Sequence, residues 1–283
     1  MAAALLAAAV WLPAGAQTVR AEVELNPYTE RVTEGDAAVF GLLQAEDVVY
    51  QRTIWRMLDR EDDSNSPFFY PVNPVGGKQN MITILLEGIQ RGEVTAYQPT
   101  ALGNEFHASL RMTPAQVETA LGAIHDSIAV LDENGRRVWV AREQESQLED
   151  IQKVLVKEMV YFDKRNAHMQ RRPIGICPIR MIPKDSGDDS PDDLVPQQTF
   201  WVPVMPVRDL LSNKYVTTSD NEARQMSMEA YLTQHRYDGI IYAISNARGN
   251  QRLADYVPAD EVAAESDRIE AEIASFEEKI WTE

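Results

Sequence analysis

The sequence predicts an α+β fold: a mixed, mostly antiparallel sheet with flanking helices and an acidic C-terminal helix. Three observations point there. Helix-period stretches and β-prone runs follow one another irregularly, without the strand–helix–strand regularity of a parallel sheet. The 283 residues are 44% hydrophobic and 25% charged, a composition that can build a core. No repeat appears at solenoid periods.

Residues 1–16, MAAALLAAAVWLPAGA, are apolar and end in Ala14-Gly15-Ala16, the small-x-small pattern of a signal-peptide cleavage site. No Lys or Arg precedes the run, which is weaker than usual for such a signal. The stretch from Ala2 to Leu12 is shorter than the roughly 20 residues that span a bilayer. No Cys follows the site, so the expectation is an exported, soluble protein that is not itself lipidated. Residues 17–45 read as an extended arm, 46–257 as a single α+β domain, and 258–283 as an acidic amphipathic helix.

Within the domain, Asp47 is placed to cap a helix running to about Arg60, with Val48, Tyr50, Ile54, Trp55 and Leu58 roughly at helical spacing. The aromatic run Phe68-Phe69-Tyr70 follows and stops at Pro71. A second helix is expected over about Gln79–Arg91, ended by Gly92, and a short strand over Glu93–Tyr97. Thr113-Pro114-Ala115-Gln116 is a capping box with Pro at the first helical position. Ile128–Leu131 and Arg137–Ala141 read as a hairpin about an Asn134-Gly135 turn. Val154–Phe162, Arg172–Ile182 and Thr199–Met205 read as strands, with Pro178 and Pro203 suggesting edges or bulges. Ser219 is placed to cap a helix to about His235, and Gly239–Ala243 is a short buried strand.

Charge is uneven. The chain carries 27 basic and 44 acidic side chains, net −17, which disfavours nucleic acid as a partner. Residues 258–283 hold nine acidic and two basic residues. Lys164, Arg165, Arg171, Arg172 and Arg180 form a basic cluster with one acid, Asp163, among them. Such a cluster is either a solvated hairpin tip or a docking face for an acidic surface, such as the tail or the 185–193 loop of a neighbouring copy.

Catalytic patterns are not found. There is no GxSxG elbow, no GxxxxGK[ST] loop and no HExxH. The four histidines are scattered, and no metal or cofactor is expected. Cys177 lies between apolar neighbours, a setting that does not favour a thiolate. Glu158, Asp163 and His168 are the best placed to form a site if the chain is an enzyme. The aromatics Phe68, Phe69, Tyr70 and Trp201 are either core or the floor of a carbohydrate- or peptide-binding module.

Five stretches resemble the GldN/PorN family of gliding-motility and type IX secretion ring proteins: Val48–Pro71, Gly92–Tyr97, Val156–Ile179, Thr199–Leu211 and Ile240–Tyr256. Two departures stand out. Met159-Val160 replaces the family's Trp before its aromatic-Phe-Asp run, and MSMEAYLTQHRY replaces a Phe-rich helix. The resemblance implies a non-catalytic periplasmic subunit associated with the inner face of the outer membrane. Its implied partners are an outer-membrane lipoprotein, the periplasmic domain of an inner-membrane motor protein and further copies of itself in a ring. Membrane contact would come only through the lipoprotein. On this reading the expected protein-interaction residues are Tyr161, Asp163, Lys164, Arg165, Arg171 and Arg172 on the basic hairpin, with Phe200 and Trp201 on the aromatic strand. The alternative is a periplasmic cell-wall- or peptide-processing enzyme or a binding protein. A last expectation is that the acidic tail helix makes little tertiary contact within one copy.

Overall fold

A computed structural model describes residues 45–103, 105–131, 136–165, 167–184, 194–216, 226–247 and 249–282. The expected signal peptide, the expected arm up to residue 44, the expected Asn-Gly turn, the acidic loop at 186–193 and Ser219 fall outside them. Among the described residues thirteen strands occur in order: β1 Val48–Asp59, β2 Ala96–Tyr97, β3 Arg111–Met112, β4 Ile124–Leu131, β5 Arg137–Gln144, β6 Ile151–Asp163 and β7 His168–Pro183. The rest are β8 Leu194–Gln198, β9 Val202–Pro203, β10 Tyr215–Val216, β11 Met226–Ser227, β12 Ile240–Ile244 and β13 Gln251–Arg252. The helices are α1 Ser66–Phe69, α2 Met81–Gln90, α3 Pro114–Ala120, α4 Arg208–Ser212, α5 Met228–Thr233 and α6 Val262–Thr282.

The fold is α+β. One sheet runs β13-β12-β1-β6-β7-β8, with β9 also on β7, and every pairing within it is antiparallel. The first strand therefore lies in the middle, between β12 and β6. This corrects the reading of residues 47–60 as a helix. Asp47 ends a single 3-10 turn, and the chain then runs extended for 12 residues. Trp55 is buried against Leu155, Cys177 and Trp201 on one face, while Ile54 and Leu58 are buried on the other. A strand covered on both faces loses its polar alternation, and periodicity then cannot separate it from a buried helix.

Helices α1 to α5 pack on the Leu58 face, around Phe68, Ile84, Leu85, Leu121, Val154, Val156, Phe200 and Leu211. α2 starts where Asn80 accepts a hydrogen bond from the Thr83 amide at 2.7 Å, and ends at Gly92, whose φ of +75° suits glycine. The predicted capping box on α3 is present: Gln116 Oε1 accepts from the Thr113 amide at 2.8 Å, and Thr113 Oγ1 accepts from the Gln116 amide at 3.3 Å. The predicted strand at Glu93–Tyr97 narrows to Ala96–Tyr97. β6 and β7 extend well beyond the runs read from sequence. Pro178 is not at an edge. β7 is flanked by β6 on one side and β8 and β9 on the other, and the Pro178 carbonyl accepts from the Thr199 amide and hydroxyl in the gap between β8 and β9. The helix near 228 is short and capped by Ser227.

α6 lies on the same sheet face as the other helices, beside them. Ile269 and Ile273 are buried against Ile54, Val160, Ile241 and Ile244, and Phe276 meets the Tyr50 ring at 4.3 Å. The expectation of a tail with little tertiary contact is therefore corrected. Its apolar stripe has a seat in this chain, and one of its acids, Glu270, turns onto the sheet. Among the described residues no helix is long and apolar enough to cross a membrane.

Candidate functional site

Two apolar clusters share the helix-bearing sheet face, and a polar seam separates them. β1 contributes Arg56 between Ile54 and Leu58; β6 contributes Glu158 between Val156 and Val160. Both side chains are buried, and Arg56 Nε lies 3.4 Å from Glu158 Oε2. Arg56 Nη1 also donates to the Gly239 carbonyl at 2.7 Å. Tyr237 donates its hydroxyl to Glu158 Oε1 at 2.7 Å. His235 completes the seam, with Nδ1 3.1 Å from the Tyr237 hydroxyl and Nε2 3.0 Å from the Arg171 carbonyl. The position is set by α5: His235 ends that helix with φ 49°, which turns the chain back toward the sheet.

The seam continues outward to α6. Glu270 places one carboxylate oxygen on Arg56 and the other on Arg171. Arg52 reaches Glu272, two residues further along α6, at 3.3 Å. Burial opposes ionisation of Glu270, but the Arg56 and Arg171 guanidiniums outweigh it and hold the carboxyl below its ordinary range. Burial is also the largest influence on His235 and lowers its pKa; the charge of Glu158 offsets this only in part. Burial pushes the Tyr237 hydroxyl well above the usual phenol value, and Glu158 adds to the effect. A groove of about 530 Å³ opens beside this seat, lined by Arg56, Lys153, Arg171, Asp238, Asp267 and Glu270 among others.

A second buried ionic cluster occupies the opposite face. Glu105 accepts from Trp55 Nε1 at 2.7 Å, from Lys157 Nζ at 2.7 Å and from the Gly103 amide at 2.9 Å. Lys157 sits 5.4 Å from the centre of the Trp55 ring and 5.6 Å from that of Phe106.

The residues expected from sequence to meet partners fall into two groups. Lys164 and Arg165 occupy the β6–β7 turn and are about half exposed, at 52% and 45% of their side chains, each beside Asp47, at 3.4 and 2.9 Å. Arg171 is partly exposed and engaged by Glu270. The others face inward. Tyr161 donates to Gln170, Asp163 is buried and accepts from the Arg165 amide, and Arg172 is buried with its guanidinium 5.7 Å from the Tyr161 ring. Phe200 and Trp201 are fully buried, so their rings serve this chain's own core. Of the basic cluster, Arg171 meets an acid of the tail within the same chain, Glu270, while Arg180 meets Asp150.

The arrangement suits no simple catalytic triad. Glu158 and Asp163 are five residues apart on one strand, about 16 Å at strand rise. Asp163 faces His168 across β6 and β7, while Glu158 faces Pro173. The trio does not converge. Among the described residues no three His, Cys, Asp or Glu side chains gather as a metal site. Cys177 is fully buried, and burial raises its thiol far from the thiolate range. Phe68, Phe69 and Trp201 are core residues. Tyr70 is the exposed member of the aromatic set, under the Arg60 guanidinium at 4.7 Å.

Sequence reading missed the seam. Arg56 was placed on a helix, Glu270 counted only as tail charge, and Tyr237 had no motif around it. No local signal marks residues that meet across separations of 79 to 214 positions.

A family model described as "Gliding motility associated protein GldN" matches residues 43–282. No curated protein matches the chain.

Proposed function

This chain belongs to the GldN family of gliding motility associated proteins, and from that premise we propose that it is a non-catalytic structural subunit of the periplasmic ring of the type IX secretion and gliding machinery. In this reading it assembles with an outer-membrane lipoprotein and contacts the periplasmic part of an inner-membrane motor protein. Further copies of the same chain complete the ring. The observation that carries the proposal is the family match, which runs from before β1 to the last turn of α6. The physical chemistry supports it. The ionisable groups most suggestive of chemistry bind other parts of the chain: His235, Tyr237 and Glu158 one another, and Glu105 the side chains of Trp55 and Lys157. Their hydrogen bonds connect strands and helices, as a rigid building block requires.

Of the residues named from sequence, Lys164 and Arg165 have the outward surface to meet an acidic partner. Arg171 belongs to the seat of α6. The genetic test is deletion of the gene with complementation. Loss of spreading or of export of cargo bearing a C-terminal signal, restored by the wild-type chain, is the expected result. A deletion strain that exports and moves normally would overturn the proposal.

A further inference from the structure

β4 and β5 form a ribbon of two strands apart from the seven-stranded sheet. Their pairing runs without a register shift from Ile124↔Gln144 to Leu131↔Arg137. Among the described residues no third strand lies on either outer edge. Each edge therefore offers a row of backbone donors and acceptors, and a lone hairpin is at best marginally stable in water. Edges are protected by charged side chains, Pro, a bulge or a covering element. Neither strand, IHDSIAVL or RVWVAREQ, has a Pro, the uniform register has no bulge, and the charges, Asp126, Arg137, Arg142 and Glu143, sit toward the strand ends, leaving 127–131 and 138–141 uncharged. Apolar types occupy both alternations of the ribbon. One holds Ile128, Val130, Val138 and Val140; the other holds Ala129, Leu131, Trp139 and Ala141. A ribbon with one wet face would keep one alternation polar.

The register also indicates what would lie on the edges. Asp126 is opposite Arg142 and His125 opposite Glu143, while Ile128, Ala129 and Val130 are opposite Val140, Trp139 and Val138. The two strands are thus complementary in charge and in apolar content at one register. Among the described residues β5 has β4 on one edge and no strand on the other, with the same residues along both. The β4 strand of another copy, laid antiparallel on that free edge, repeats the charge and apolar matches of the intrachain pairing.

We infer that the ribbon is a joint between copies of this chain, in which the outer edge of β5 pairs with β4 of the next copy in the register seen within one chain. The inference rests on the ring reading above and gives it a surface. Two different edges meet, so the contact is head-to-tail; it propagates and closes only when the rotation per copy allows, as in a ring. A two-fold pairing of β5 with β5 about Val140 also sets Arg137 against Glu143. It stops at two copies and leaves β4 uncovered, so the head-to-tail arrangement accounts for both edges.

The test uses full-length chains in two pools, one carrying Ile128→Cys and the other Val140→Cys, assembled together under mild oxidation. A second set carries Ser127→Cys and Ala141→Cys. Hydrogen-bonded and non-hydrogen-bonded pairs alternate along the ribbon, so one set falls at the closer spacing, about 4.5 Å between Cα atoms, that a disulfide accepts. Cys177 is fully buried and does not compete. The expected result is a reducible two-chain band from the mixture of at least one set and none from any pool alone. A band from the Val140→Cys pool alone would show the two-fold pairing and overturn the inference. Assembly by sedimentation without a cross-link in either mixture would place the joint elsewhere, overturning the inference while the ring reading stands. Chains that sediment as monomers would overturn the inference, since the joint needs no other protein, while the ring reading is tested separately on the native particle.

Discussion

The carboxylate of Glu270 on the last helix closes on the guanidinium of Arg171 on β7, across 99 positions of sequence. Its other oxygen meets Arg56 on the central strand. One acid thereby fixes the tail helix to two strands that are not neighbours in the sheet. Replacing Glu270 with Ala leaves two guanidiniums facing each other in a half-buried site. Breaking fully buried pairs costs about 3–5 kcal/mol; for this partly exposed one the expectation is about 2 kcal/mol. Urea denaturation of the wild type and Glu270→Ala measures it, and an unchanged midpoint would mean that Ile269 and Ile273 alone hold α6.

The same group predicts a pH dependence. The folded-state pKa of Glu270 is depressed, so its contribution is present above the ordinary carboxylate value of 4.5 and is lost as pH falls through the lower folded value. Stability measured from pH 6 downward should decline below about 4.5 in the wild type. Glu270→Gln should remove part of that slope.

His235 acts at higher pH. Its folded pKa is lowered by burial from 6.5, so the unfolded chain binds the proton more readily. Stability should therefore fall as pH drops below 6.5 toward the lowered value. Groups around it pull both ways: Glu158 favours the charged ring, while Arg56 and Arg171 oppose it. His235→Asn should flatten the profile just below pH 6.5. An unaltered slope would assign the titration elsewhere.

Glu105 predicts the largest single loss. It is 1% exposed and holds Lys157, the Trp55 indole and the Gly103 amide. Glu105→Ala strands a Lys157 ammonium whose side chain is 13% exposed and leaves the Trp55 indole without its acceptor; it should cost about 3 kcal/mol, with a shift in Trp55 fluorescence. Glu105→Gln, which keeps the shape and an acceptor, should lose less.

Gly239 is fixed by close approach. A Cβ there would lie 2.2 Å from the Met57 carbonyl oxygen, on a strand that cannot move aside without disturbing Trp55 and Leu58. Gly239→Ala should cost at least about 2 kcal/mol in thermal or chemical unfolding. Gly249→Ala is a useful contrast: nothing lies within 4 Å of its added Cβ, although its φ of +98° carries its own strain.

Much of the fold was legible where the signal is local. The Thr113–Gln116 capping box, the Gly92 stop, the hairpin read over 128–141, which the structure extends to 124–144, and the α+β class follow from residues that act within a few positions of each other. The first strand was not, because burial on both faces erased its alternation and left Val48, Ile54, Trp55 and Leu58 at a spacing that also fits a helix. The seam was not, because Arg56, Glu158, Tyr237 and Glu270 become neighbours only once β1 is inserted between β12 and β6 and α6 is docked. Phe200 and Trp201 show the reverse error: residue types common at protein interfaces are also common in cores, and only burial separates the two.

The central claim is that this 31.9 kDa chain works as one part of a large protein assembly. Sedimentation of the native protein extracted gently from the cell envelope tests it most directly. The account predicts a discrete megadalton particle containing many copies of the chain together with a lipoprotein. A chain that sediments alone at its monomer mass, from cells whose motility and export are intact, would contradict it.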